Sequence, residues 1–179
     1  MTATTSSARF EEVALPQLEA AYSLAHWILR DRSAAEDAVQ EAMLRALTYF
    51  HTFKGVNARA WLLQIVRNVA YEHIRANKGA KMVAIDSGDE HAPEPVLDPQ
   101  LVDSASPEQR LVEQRSREQL VAAVDSLPLD LRECLVLREF EELSYRGIAA
   151  ITATPIGTVM SRLWRARQTL LKLIPAEGV

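Results

Sequence analysis

The sequence predicts an all-α protein of two small helical domains joined by a flexible acidic linker, the C-terminal one with a helix-turn-helix. Three observations carry this. Ala, Leu, Glu, Arg and Gln dominate while only 6 of 179 residues are Gly, a composition that favours helix. A stretch rich in Pro and acids, without apolar periodicity, divides the chain near residues 81–106 and reads as a linker. Towards the C-terminus a short helical segment, a turn and a longer helix follow one another, the helix-turn-helix order.

The expected domains are 1–80 and 107–179. In the first, one helix is expected from Phe10 to Leu29. A second begins at Ser33, where Ser33-Ala-Ala-Glu36 has capping-box spacing, and runs to Phe50. A third covers Arg59 to Asn77. In the second domain, Ser106-Pro107 offers an N-cap followed by proline at the first helical position. Leu127-Pro128 breaks that helix, and the next is expected over Asp130–Glu141. Ser144 can cap a short helix through Ile151, and Thr154-Pro155 starts a last helix to Ile174.

Composition and charge exclude several functions. Hydrophobic residues make up 48%, enough for a packed core. The single cysteine, Cys134, excludes an internal disulfide or a Cys-rich zinc site, and is expected to be a small core residue. No stretch approaches the roughly 20 apolar residues of a membrane span. The opening residues lack the basic and apolar regions of a signal peptide, so a cytoplasmic protein without membrane insertion is expected. The net charge of −4 hides an asymmetry. Residues 82–106 carry Asp86, Asp89, Glu90, Glu94, Asp98 and Asp103 without a Lys or Arg. Residues 155–175 carry Arg162, Arg165, Arg167 and Lys172 without an acid.

The last helix is therefore where nucleic acid should bind. At 100° per residue, Ile156, Val159, Leu163, Ala166, Leu170 and Ile174 form one apolar stripe. The opposite face holds Ser161, Trp164 and Arg165, flanked by Arg162 and Arg167. Residues early in such a helix reach base edges in the major groove, with flanking arginines on phosphates. On the helix 59–77, Gln64, Arg67, Asn68, Tyr71 and Arg75 share one face, a set suited to unstacked single-stranded bases. On the helix from Ser33, Asp37, Gln40, Glu41 and Leu44 face outward, an acidic surface with an apolar residue that suits a basic protein partner. The four His lie in separate segments without ligand spacing, so no metal, cofactor or catalytic set is expected. His26 and His73 are expected to be helix-packing residues.

Five motifs in order, Asp37-Ala-Val-Gln-Glu41, Trp61-Leu-Leu-Gln-Ile-Val-Arg-Asn68, Leu127-Pro-Leu-Asp-Leu-Arg132, Leu143-Ser-Tyr145 and Pro155–Arg167, resemble bacterial RNA polymerase sigma factors of the sigma-70 family, extracytoplasmic-function group. The resemblance covers residues 10–80 and 107–174. It implies a stress- or signal-responsive subunit that binds core polymerase through the β′ clamp helices and the β subunit and directs it to promoter DNA. It places the Asp37–Glu41 segment and Leu44 on β′, and Asn68 where a flipped-out base of the non-template strand is taken. Ser161, Trp164 and Arg165 fall where the upstream element is read. It also implies an anti-sigma partner. Two positions depart from the pattern: Arg146-Gly147 stands where acids are usual, and Met160 where a basic residue is common. Gly147 costs on the order of 1 kcal/mol in helix propensity, which suggests close packing there. The residues by themselves also admit a free-standing helix-turn-helix regulator, which would bind paired duplex half-sites as a dimer.

Overall fold

The computed structural model describes residues 2–81 and 107–174, and every regular element among them is helical. In chain order these are α1 (Thr2–Ala14), α2 (Leu18–Leu29), α3 (Arg32–Thr48), α4 (Ala58–Lys81), α5 (Pro107–Asp125), α6 (Leu129–Glu139), α7 (Tyr145–Thr152) and α8 (Ile156–Leu173). Residues 82–106, which include most of the expected acidic linker and the expected cap Ser106, lie outside the described residues.

Local chemistry sets most boundaries. The single helix expected over 10–29 is two, because Pro16 interrupts it: a 3-10 turn at Leu15–Gln17 separates α1 from α2, and proline cannot supply the N–H that a continuing helix needs. Arg30 ends α2 in the left-handed conformation, with its N–H on the His26 carbonyl at 2.8 Å. The cap of α3 is Asp31 rather than Ser33: its Oδ1 accepts from Ala34 N at 2.6 Å, while Glu36 pairs with Arg32 instead of reaching back. Asn57 Oδ1 accepts from Ala60 N at 3.0 Å and so caps α4. Ser144 caps α7 as expected, its Oγ accepting from Gly147 N at 3.1 Å. A Cβ at Gly147 would meet Ser144 Oγ at 3.4 Å, ordinary contact, so close packing does not explain that glycine. Between α7 and α8 the chain turns through Ala153 in the left-handed region, with the Thr152 and Thr154 hydroxyls bonded at 2.8 Å.

Packing makes two cores. The first joins α1 to α4 through Phe10, Ala21, Ala25, Ala38, Ala42, Leu62, Val66 and Val69. The second is shared between the two halves of the chain: Leu24 and Ile28 of α2 and Leu63 and Ala70 of α4 pack with Leu135 and Leu137 of α6, Ile148 of α7 and Leu163 of α8. Helix α4 is thus buried on two faces rather than one. Leu24 and Leu63 are both fully buried, and each such side chain contributes roughly 1.5–3 kcal/mol. Helix α6 is the hub. Every residue from Leu131 to Leu137 is buried, the mark of a helix enclosed on all sides. Arg132 serves it by donating from Nη1 to the Asp125 and Leu127 carbonyls, which satisfies the end of α5.

The cap assignment has a simple consequence. Asp31→Ala should cost about 1 kcal/mol and lower the melting temperature by about 2–4 °C for a chain of this size, whereas Ser33→Ala should stay within about 0.5 kcal/mol. Thermal melts of the two variants check this; a larger loss for Ser33→Ala contradicts it.

Candidate nucleic-acid interface

Helix α8 carries its expected faces with one exception. Val159, Leu163 and Ala166 are buried and Leu170 and Ile174 partly so, but Ile156 is exposed. It is the first residue of the helix. On the outer side Met160, Ser161, Trp164 and Arg165 are all exposed, Trp164 at 63%. A tryptophan so placed has only water to cover its apolar ring. Arg165 makes no ion pair among the described residues, and its guanidinium fork is open to a partner. The two flanking arginines are already engaged: Arg162 pairs with Asp130 at 3.4 Å and Arg167 with Glu139 at 2.7 Å. The Arg167 pair is about half exposed on both sides, of the kind that contributes little net stability, whereas the Arg162 side chain is mostly buried.

The set on α4 is divided. Gln64, Asn68 and Arg75 are exposed. Arg67 and Tyr71 are half-buried and turned onto α6, which the sequence reading did not anticipate. There the Glu133 carboxylate, whose side chain is fully buried, accepts from Arg67 Nε through Oε1 and from the Tyr71 hydroxyl through Oε2, the latter at 2.5 Å. The Arg67 guanidinium lies 4.3 Å from the centre of the Tyr71 ring. Burial and the adjacent Glu133 charge push the Tyr71 phenol pKa up, so it remains a donor. Burial works against the Arg67 cation, but pairing with Glu133 outweighs this and its pKa is raised. Beside the cluster lies a solvent-open groove of about 420 Å³, lined by Arg67, Tyr71, Leu129, Asp130, Thr152, Thr154 and Arg162.

Other cross-seam contacts ring the cluster. Arg30 meets Asp125 at 2.5 Å, Arg59 Nη1 donates to the Glu141 carbonyl at 3.3 Å, and the Trp27 and Phe140 rings lie 5.7 Å apart. These residues were missed in the sequence. The signal that could have found them is Cys134–Leu137, four consecutive apolar residues that cover a full helical turn, directly after Arg132 and Glu133.

On α3, Asp37, Gln40 and Leu44 are exposed, Leu44 at 67%. Glu41 is partly engaged, bonded to Arg45 at 2.5 Å and to His73 Nε2 at 3.1 Å. Those contacts, His73 first, hold its carboxyl below the usual range. His26 stacks on Tyr22. Cys134 is fully buried, and burial and the neighbouring Glu133 charge push its thiol up, away from the reactive thiolate. Among the described residues no group of three or more His, Cys, Asp or Glu could hold a metal ion, and no helix is long and apolar enough to cross a membrane.

Comparison with known proteins decides the family. The family model described as Sigma-70 region 2 matches residues 17–79 and that described as Sigma-70, region 4 matches residues 117–170. The RNA polymerase sigma-H factor of Pseudomonas aeruginosa is 36% identical over 147 residues, 82% of this chain and 76% of that protein. The chain belongs to the sigma-70 family of RNA polymerase sigma factors. It is also similar to extracytoplasmic-function members: the ECF RNA polymerase sigma-E factor of Escherichia coli K12 is 35% identical over 135 residues, 75% of this chain and 70% of that protein. Among solved structures, the sigma factor RpoE in complex with the anti-sigma factor NepR from Bartonella quintana matches with a TM-score of 0.71 at 28% identity, covering 95% of this chain and 99% of that one. CnrH in complex with the cytosolic domain of CnrY shares the fold, with a TM-score of 0.62 at 19% identity over 94% of this chain and 89% of that one. Region 2 thus contains α2, α3 and most of α4, and region 4 contains α6 to α8 with the end of α5. Sigma factors bind core RNA polymerase and promoter DNA and are not themselves enzymes.

Proposed function

We propose that this sigma factor uses three separate surfaces in promoter-directed initiation in the cytoplasm. Asp37, Gln40, Glu41 and Leu44 on α3 dock on the β′ clamp helices. Gln64, Arg67, Asn68, Tyr71 and Arg75 on α4 take the melted non-template strand of the downstream element, with Asn68 offering its amide to a base that has left the stack. Ser161, Trp164 and Arg165 on α8 read the upstream element as duplex, with Arg162 and Arg167 on phosphates. The domains that carry these roles are taken as 1–80 and 107–179. The observation that carries the reading is the outer face of α8, where an exposed indole and an unpaired guanidinium stand together on the second helix of a helix-turn-helix. An anti-sigma partner is part of the proposal, supported by relatives of this fold that are found in complex with anti-sigma factors.

The roles of Asn68 and Arg165 separate in one experiment, transcription by reconstituted holoenzyme on a promoter library with permanganate footprinting of the melted region. Asn68→Ala should slow strand opening and alter downstream base preference. Its thermal stability should change by less than about 0.5 kcal/mol, as for ordinary surface changes. Normal opening with unaltered preference rejects that role. Arg165→Ala should relax preference at one upstream base pair by about 1–3 kcal/mol, the value of a bidentate contact, with strand opening intact once bound. Unchanged upstream preference rejects it.

A further inference from the structure

The outward face of α8 is more apolar than a reader that works by hydrogen bonds alone would need. Over residues 156–165 the exposed side chains are Ile156, Met160 and Trp164, all apolar, and Ser161 and Arg165, which are polar. We infer that Met160, seated between Ile156 and Trp164, makes the central contact of an apolar ridge that recognises the C5-methyl groups of thymines in the upstream duplex. The inference rests on the proposal that α8 reads duplex DNA, and adds the kind of base edge it selects.

Three observations carry it. Residues 156, 160 and 164 are four apart, so their side chains stand in a row along one side of the helix, and they are exposed at 38%, 51% and 63%. Hydrogen-bonding capacity beside them is scarce. The Ser161 hydroxyl donates to the Thr158 carbonyl at 3.0 Å and keeps only its acceptor capacity, so Arg165 holds the free donors of this stretch. In the major groove the apolar feature of a base edge is the thymine methyl, and an apolar ridge laid there selects for it. Finally, charge commits the ridge to DNA rather than to an apolar protein. Residues 155–175 carry Arg162, Arg165, Arg167 and Lys172 and no acid, a distribution that draws phosphates. Met160 suits the centre of the ridge because its unbranched, polarizable side chain adapts to the shape it meets, while it has no charge with which to hold a phosphate. At a rise of about 1.5 Å per residue, it stands about 7.5 Å before Arg165 along the axis. That is roughly two base-pair steps of about 3.4 Å.

The test uses reconstituted holoenzyme and the upstream element it prefers in a promoter library. Each thymine of that element is replaced in turn by uracil, which removes the methyl and keeps the base pairing. Competition binding is measured for wild type, Met160→Ala, Met160→Leu and Arg165→Ala. A thymine should lie within about three base pairs of the pair that Arg165 reads, given the spacing above. Uracil there should weaken wild-type binding about fourfold, the value of one buried methyl-sized group. Met160→Ala should weaken binding to the thymine duplex and erase the difference between thymine and uracil at that position. Met160→Leu should retain the difference. A Met160→Ala variant that still distinguishes thymine from uracil as wild type does overturns the inference, since a structural role or another partner on the ridge would leave that difference intact. An element without thymine in that range, or one in which uracil has no effect, overturns it equally. If Arg165→Ala still relaxes its own base pair in those cases, the α8 reading stands and the methyl inference alone fails. If Arg165→Ala changes nothing either, both fall.

Discussion

Helix α6 is enclosed on every side, and Glu133 stands in the middle of it. A carboxylate taken out of water must be met by donors, and the donors that meet it come from the other half of the chain: Arg67 and Tyr71 of α4. Much of the architecture follows from that requirement. It orients α4 so that Leu63 and Ala70 face α6 to α8 while Leu62, Val66 and Val69 face α1 to α3. It also brings α2 against α6, where Trp27 meets Phe140. Removing one partner of a buried pair typically costs about 3–5 kcal/mol, a large share of the roughly 5–15 kcal/mol that holds a domain folded. The penalty for stranding Glu133 thus specifies how the two halves meet, while the apolar core they share supplies the burial that holds them together.

This arrangement divides the molecule's surfaces by availability. The outer faces of α3 and α8 lie away from the seam and remain open. The polar face of α4 lies along the seam and is split: Gln64, Asn68 and Arg75 are accessible while Arg67 and Tyr71 are engaged.

The helical class, the break at Leu127-Pro128, the Ser144 cap and the exposed face of α8 were legible in the sequence because each is set by local chemistry or by a 3.6-residue period. Two local misreadings have equally local causes. Ser33 and Asp31 are both good caps, and hydrogen-bond geometry, not residue type, decides between them. Pro16 stood inside an apolar period that otherwise read as one helix. The shared core was not legible. An amphipathic reading assigns each helix one buried stripe, and Gln64, Arg67, Asn68, Tyr71 and Arg75 of α4 were all placed on its exposed side. Arg67 and Tyr71 look like solvent or DNA contacts until their partner is known, and that partner lies more than sixty positions away in sequence. Only the unbroken burial of α6, visible afterwards in Leu131–Leu137, hinted that a second face of α4 had to be covered.

The central claim is that Glu133 fixes how the two halves of the chain meet by engaging Arg67 and Tyr71 of α4. Resonance energy transfer between dyes on Glu12→Cys and Arg146→Cys, both exposed positions, measures this directly while Cys134 stays buried and unlabelled. Transfer should be efficient in the wild-type chain and fall when Glu133→Gln removes the charge that Arg67 and Tyr71 meet. Equal transfer in wild type and variant at unchanged helix content would contradict the account, because the two halves would then meet in the same way without that charge.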